Sequence, residues 1–126
     1  MKKEDIADIL DNLLKHEEFL ACMVINRDKD YITPTHEKND IGIKKIINDL
    51  KQITDGIFKI VDCYSEVKLK QMKWRFTNFD IRFRVFPDFY NILIAVVPKL
   101  SNEGLIEVEL EKAYRKILET NKAEIA

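Results

Sequence analysis

Two histidines, two cysteines and three glycines bound the chemistry open to this chain. His16 stands beside Glu17 and Glu18, and His36 lies in a polar stretch. Neither is at a ligand-like spacing from a cysteine or from the other histidine, so no metal centre is expected. Cys22 and Cys63 are far apart, each among apolar neighbours. A secreted disulfide scaffold of this size would carry more cysteines, so both are expected to be reduced, buried thiols. Ser65 and Cys63 have no histidine at a spacing that suggests nucleophilic activation. Three glycines cannot build a phosphate-cradling loop, and no G-x-S-x-G elbow occurs. The sequence therefore points to no catalytic residue, no cofactor and no metal, and argues against an enzyme.

Charge placement says more than total charge. The net charge is −1 over 126 residues, so bulk attraction to nucleic acid or anionic lipid is not expected. Between residues 66 and 84, however, Lys68, Lys70, Lys73, Arg75, Arg82 and Arg84 face only Glu66 and Asp80. Trp74, Phe76, Phe79 and Phe83 are interleaved with them. One reading is a nucleic-acid-binding module built on the basic strands 68–84. The reading that outweighs it turns the aromatics to the core and leaves the cations to blunt a sheet edge. A third places Lys73, Arg75, Arg82 and Arg84 against an acidic protein surface.

The elements that must carry these residues follow from periodicity. Ile6, Ile9, Leu10, Leu13 and Leu14 mark one face of a helix ending near Lys15-His16. Phe19 to Ile25 is the longest uninterrupted apolar run. It is far short of the ~20 residues that span a bilayer and reads as a strand buried on both faces. Asn26 to Asp30 turns the chain into a short strand, Tyr31 to Thr33, limited by Pro34. Asp40 is a helix cap. From there Ile43, Ile46, Ile47, Leu50, Ile53, Ile57, Ile60, Val61 and Tyr64 hold helical spacing, predicting one helix over 41–64, about 36 Å long. Gly56 inside it is a tolerated glycine, an early helix end, or a point where a second helix comes close.

After Ser65 the period changes to two. Met72, Trp74 and Phe76 form one strand, with Val67 and Leu69 out of phase ahead of it, a sign of a bulge or a late start. Ile81, Phe83 and Val85 form the next, and Phe89 to Val97 a strand apolar on both faces. Ser101, Asn102 and Glu103 cap a last helix, 104 to about 120, with Ile106, Leu110, Ala113 and Ile117 inward. The expectation is a single α+β domain over 1–126. Its order is helix-strand-strand-helix-strand-strand-strand-helix, a five-stranded antiparallel sheet with helices on both faces.

This order, with these residues, resembles the Roadblock (dynein light chain) family. Ala21-Cys22-Met23-Val24-Ile25-Asn26-Arg27-Asp28 is similar to that family's first strand, which typically runs into Arg-Asp-Gly. Lys29 stands where the glycine would be, so the turn is expected to differ. Tyr90-Asn91-Ile92-Leu93-Ile94-Ala95-Val96-Val97 and Asn102-Glu103-Gly104-Leu105-Ile106 resemble the family's closing strand and glycine-leucine helix start.

The resemblance implies a non-catalytic cytoplasmic protein that pairs with itself or with a related Roadblock subunit. Third strands would join into one sheet and second helices would cross. It also implies a scaffold or regulator of a small Ras-like GTPase, with no membrane span. Carried onto this chain, the seam comprises Ile46, Ile47, Leu50, Ile53, Gly56 and Ile57 with Met72 and Trp74 of the strand Lys70 to Phe76. The partner contact would use Lys44, Lys45, Asn48 and Lys51 on the polar helix face, with Arg75, Arg82 and Arg84. By analogy alone, a curved sheet of this class could also hold a small ligand.

Overall fold

The computed structural model describes residues 3–38, 40–99 and 102–125. Its elements are α1 (Lys3–Leu14), β1 (Ala21–Asn26), β2 (Tyr31–Ile32), α2 (Ile41–Gln52), α3 (Thr54–Cys63), β3 (Gln71–Arg75), β4 (Phe79–Val85), β5 (Asn91–Pro98) and α4 (Glu103–Ile125). The strands form one antiparallel sheet in the order β2-β1-β5-β4-β3. β1 and β5, apolar apart from Asn26 and Asn91 at one end, lie side by side in it, with Cys22 opposite Ala95 and Val24 opposite Leu93. Successive side chains on a strand point to opposite faces, so each of these strands feeds two cores. Cys22, Val24, Leu93, Ala95 and Val97 meet α1 and α4 through Ile6, Leu10, Ile106, Leu110 and Ile117. Met23, Ile25, Ile92, Ile94 and Val96 meet Leu50, Ile57, Phe58 and Val61 of α2 and α3. The expected α+β architecture, with helices on both sheet faces, is the one observed.

The predicted long helix is two helices. Its backbone leaves helical geometry at Ile53 (φ −99°, ψ 14°), and the cause is the next residue. The Thr54 hydroxyl donates back to the carbonyls of Leu50 and Lys51 at 3.2 and 2.9 Å, a competition with the helix's own ladder that bends helices. Apolar spacing runs through the break, which is why periodicity did not show it. At the other end Asp40 caps α2 as expected, accepting from Gly42 N at 2.9 Å and Ile43 N at 3.3 Å. Gly56 has nothing within 4 Å of where a Cβ would stand, so no element of this chain approaches it closely.

Backbone geometry corrects one local expectation and decides between the alternatives of another. Lys29 adopts φ 61°, the left-handed conformation a glycine there would supply. The turn keeps its shape because Asn26 Oδ1 accepts from the amides of both Asp28 and Asp30 at 3.0 Å. The phase shift before Met72 is a late strand start: residues 64–68 are turns, Lys68 has φ 55°, and Leu69 N donates to Tyr64 O. α4 begins on Asn102, whose Oδ1 accepts from Leu105 N at 3.1 Å. Ser101, expected to share that cap, lies outside the described residues.

Candidate interaction surface

The residues expected at the seam divide by which way they turn. Leu50 and Ile57 are buried in the core with Ile81 and Phe83, so their placement on a partner surface is corrected: they hold α2 and α3 to the sheet. Ile46 and Ile47 are half-buried against that same core, and so are Met72 and Trp74. The Trp74 ring lies 4.5 Å from that of Phe83. Ile53 and Gly56 are exposed.

With them the structure exposes Ile60, Tyr64 and Val67, which sequence reasoning did not assign to the seam. Ile53 at the break, Ile60 on α3, and Tyr64 and Val67 in the turn beyond it stand 44%, 36%, 53% and 77% exposed. The available signal was excess: residues 41–64 carry more apolar positions than one helix face can bury, so a second apolar face had to exist. Cys63 is also exposed, correcting its expected burial, whereas Cys22 is buried and its Sγ donates to Leu10 O at 3.5 Å. Burial pushes the Cys22 thiol far up from its ordinary value. From the turn, where Leu69 N donates to Tyr64 O at 3.2 Å, the chain runs into β3, the last strand of the sheet, paired on one side only.

The basic residues separate in the same manner. Arg82 is 4% exposed, and with Arg84 it faces α4. Arg82 Nη2 reaches Glu103 at 2.5 Å and its Nη1 donates to Glu107; Arg84 donates to Glu107 and Glu111, each at 2.6 Å. Arg115 extends the ladder to Glu111 at 2.9 Å. The pitch matches: two strand residues rise about 6.6 Å and four helix residues about 6 Å. Arginines at i and i+2 therefore meet glutamates at i, i+4 and i+8. Burial opposes the charge on Arg82, but Glu103 and Glu107 more than restore it. The hydrogen bond from Arg82 holds the Glu103 carboxyl below its ordinary range. Arg82 and Arg84, expected to meet an outside acidic surface or nucleic acid, are thus occupied within the chain.

The remaining basic candidates lie elsewhere. Arg75 is exposed on β3; its cross-strand neighbour Asp80 is taken by Lys99 at 2.5 Å. Lys44, Lys45 and Asn48 are exposed on α2, where Lys45 pairs with Asp49 at 2.9 Å. Lys51 sits 5.5 Å above the Tyr31 ring. Lys44, Asn48 and Lys51 gather with Lys38, Ile43 and Ile47 around a cavity of about 190 Å³ beside the start of β1. There Lys38 Nζ donates to His16 O and Phe19 O at 3.1 and 2.5 Å.

His16 Nε2 lies 3.1 Å from Glu109, and the amide of His36 donates to Asp11 at 3.0 Å. That bond holds the Asp11 carboxyl below its ordinary value. Among the described residues no three of His, Cys, Asp or Glu converge as a metal site, and no helix is long and apolar enough to cross a membrane.

Solved structures carry the same arrangement. MglB from Myxococcus xanthus superposes with a TM-score of 0.76 at 11% identity, over 97% of this chain and 91% of that one. The chain has the Roadblock fold. Gliding protein MglB from Thermus thermophilus matches with a TM-score of 0.60 at 10% identity, over 90% and 86% of the two chains. MglC from Myxococcus xanthus matches with 0.61 at 16%, over 90% and 96%. The sequence matches no family model and no curated protein, so the likeness lies in the Roadblock fold and not in the amino acids.

Proposed function

We propose that residues 1–126 form a single Roadblock-like domain that acts as a non-catalytic cytoplasmic adaptor. It pairs with a second Roadblock chain, itself or a related one, and so paired scaffolds or regulates a small Ras-like GTPase. The observation that carries this reading is the exposed apolar set Ile53, Ile60, Tyr64 and Val67, which leads through the 64–68 turn into the one-sided strand β3. Apolar side chains and unpaired backbone at one place are what a partner strand and helix would cover together. The likeness to MglB supports association, since one solved form of that protein is described as a tetrameric arrangement.

The GTPase contact is assigned to Lys44, Lys45, Asn48 and Lys51 of α2 together with Arg75. Nucleic-acid binding has less support. A stacking platform needs cations and aromatics on one face, but strand alternation turns Trp74 and Phe83 to α3 and Arg82 and Arg84 to α4.

The test is retention of purified small GTPases of the source organism, loaded with GDP or with a GTP analogue, on immobilised chain. Nucleotide-dependent retention, lost at least tenfold in Lys44→Glu/Lys51→Glu, is the expected result. Equal retention of both forms removes regulation, and no retention of any candidate removes the adaptor reading.

A further inference from the structure

We infer that the strand completing β3 belongs to a different chain with carboxylates on its edge, and not to a second copy of this one. This rests on the pairing proposed above and names its partner. From Lys68 to Arg75 the edge carries Lys68, Lys70, Lys73 and Arg75 and no acid. Lys73 shares Glu103 with Arg82, at 3.4 Å against 2.5 Å, and none of Lys68, Lys70 and Arg75 forms an ion pair among the described residues.

Self-pairing would be antiparallel about a two-fold axis. To keep Met72 and Trp74 on the α3 side of both copies, the register must set odd positions against odd ones. In the three such registers that pair at least three residues of each β3, Lys73 stands opposite its own copy, or opposite Arg75 of that copy, or opposite Gln71 with Lys73 on the diagonal. Like charges so placed oppose pairing. Lysines on an edge can instead serve to keep it unpaired. Here the neighbouring Ile53, Ile60 and Tyr64 are exposed and uncharged, which argues for a covered edge, with β3 choosing what covers it.

The probe is this chain with an acidic edge, Gln71→Glu/Lys73→Gln/Arg75→Glu. In each of these three registers the variant and the native strand form a Glu–Lys or Glu–Arg pair and no cation pair. Lys73→Gln avoids setting a new carboxylate beside Glu103. Sedimentation or light scattering then compares native chain, variant and an equimolar mixture. The mixture is expected to dimerise at least tenfold more tightly than the native chain alone. Raising salt from about 0.01 M to 1 M cuts the Debye length from about 30 to 3 Å, so the mixed pair weakens while native self-association strengthens. The salt response of the native chain needs no variant and stands even if the variant does not fold. Native self-pairing as tight as the mixture, or indifferent to salt, overturns the inference and leaves the seam intact. A mixture that stays monomeric at all salts, with a folded variant, overturns both this inference and the seam, whereas GTPase retention reads the adaptor role separately.

Discussion

Lys29, Lys68 and Phe89 occupy left-handed backbone, at φ 61°, 55° and 56°, and each is held there differently. Lys29 is fixed by the two amides that Asn26 gathers. The carbonyl of Phe89 accepts from Arg27 Nε at 2.8 Å. The same guanidinium clamps Asp62 of α3 and lies 4.7 Å over the Phe58 ring, so one side chain ties the 87–90 turn to the end of α3. Lys68 has only its turn: its amide donates to Ser65 O, and its side chain is exposed. An L-residue pays about 1–2 kcal/mol for left-handed geometry, of which glycine's extra freedom in the unfolded chain returns roughly 0.5–1. Lys68→Gly is therefore expected to stabilise the fold by about 0.5–1 kcal/mol. A urea midpoint that rises at constant slope is the measurement, and a fall would refute the account.

At the scale of elements, the break between α2 and α3 decides which apolar residues remain outside. Continued unbroken, the helix would carry Ile53 and Ile60 on a single straight face; the bend at Ile53 lets both halves lean on the sheet through Leu50, Ile57 and Val61. Thr54 is fully buried, and its hydroxyl also lies 3.3 Å from that of Tyr31, which donates to Lys51 O at 2.9 Å. This small network pins the bend to β2. Thr54→Val keeps the shape and removes the hydrogen bonds, and is expected to cost about 1 kcal/mol and to speed amide exchange around residues 50–57. Unchanged exchange there would mean that packing alone sets the bend.

For the molecule as a whole, the Arg–Glu ladder fastens α4 across β4 and makes stability depend on acid. The Glu103 carboxyl titrates below its ordinary value of 4.5, chiefly through its hydrogen bond from Arg82. Asp11 and Asp62 titrate below 3.8, through the His36 amide and Arg27. A carboxylate with a lowered folded value contributes stability that is complete above its unfolded value and is lost as pH falls through the folded one. Stability is thus expected to hold above about pH 5 and to decline steadily below it. Glu103→Gln should lower the melting temperature at neutral pH and flatten the acid decline. An unchanged slope between native and variant would show that Glu103 is not a source of it.

Much of this molecule was legible as pattern. Continuous apolar runs located β1 and β5, period-two spacing β3 and β4, helical spacing the inward stripe Ile106, Leu110, Ala113 and Ile117 of α4, and residue type the cap at Asp40, because local hydrogen bonding and one-dimensional burial dictate those features. The resemblance carried by the closing strand and helix led to the Roadblock fold. Direction in space was not legible. Leu50 and Ile57 share a spacing with Ile53 and Ile60, and only the bend at Thr54 and the position of the sheet decide which pair is core and which is surface. Arg82 and Arg84 read as free cations until α4, from far along the chain, lies across them with glutamates at the matching pitch. A sequence states what each side chain can bury or bond; which neighbour satisfies it depends on elements brought together from distant positions, so the partner surface became visible only after the fold had used what it needed.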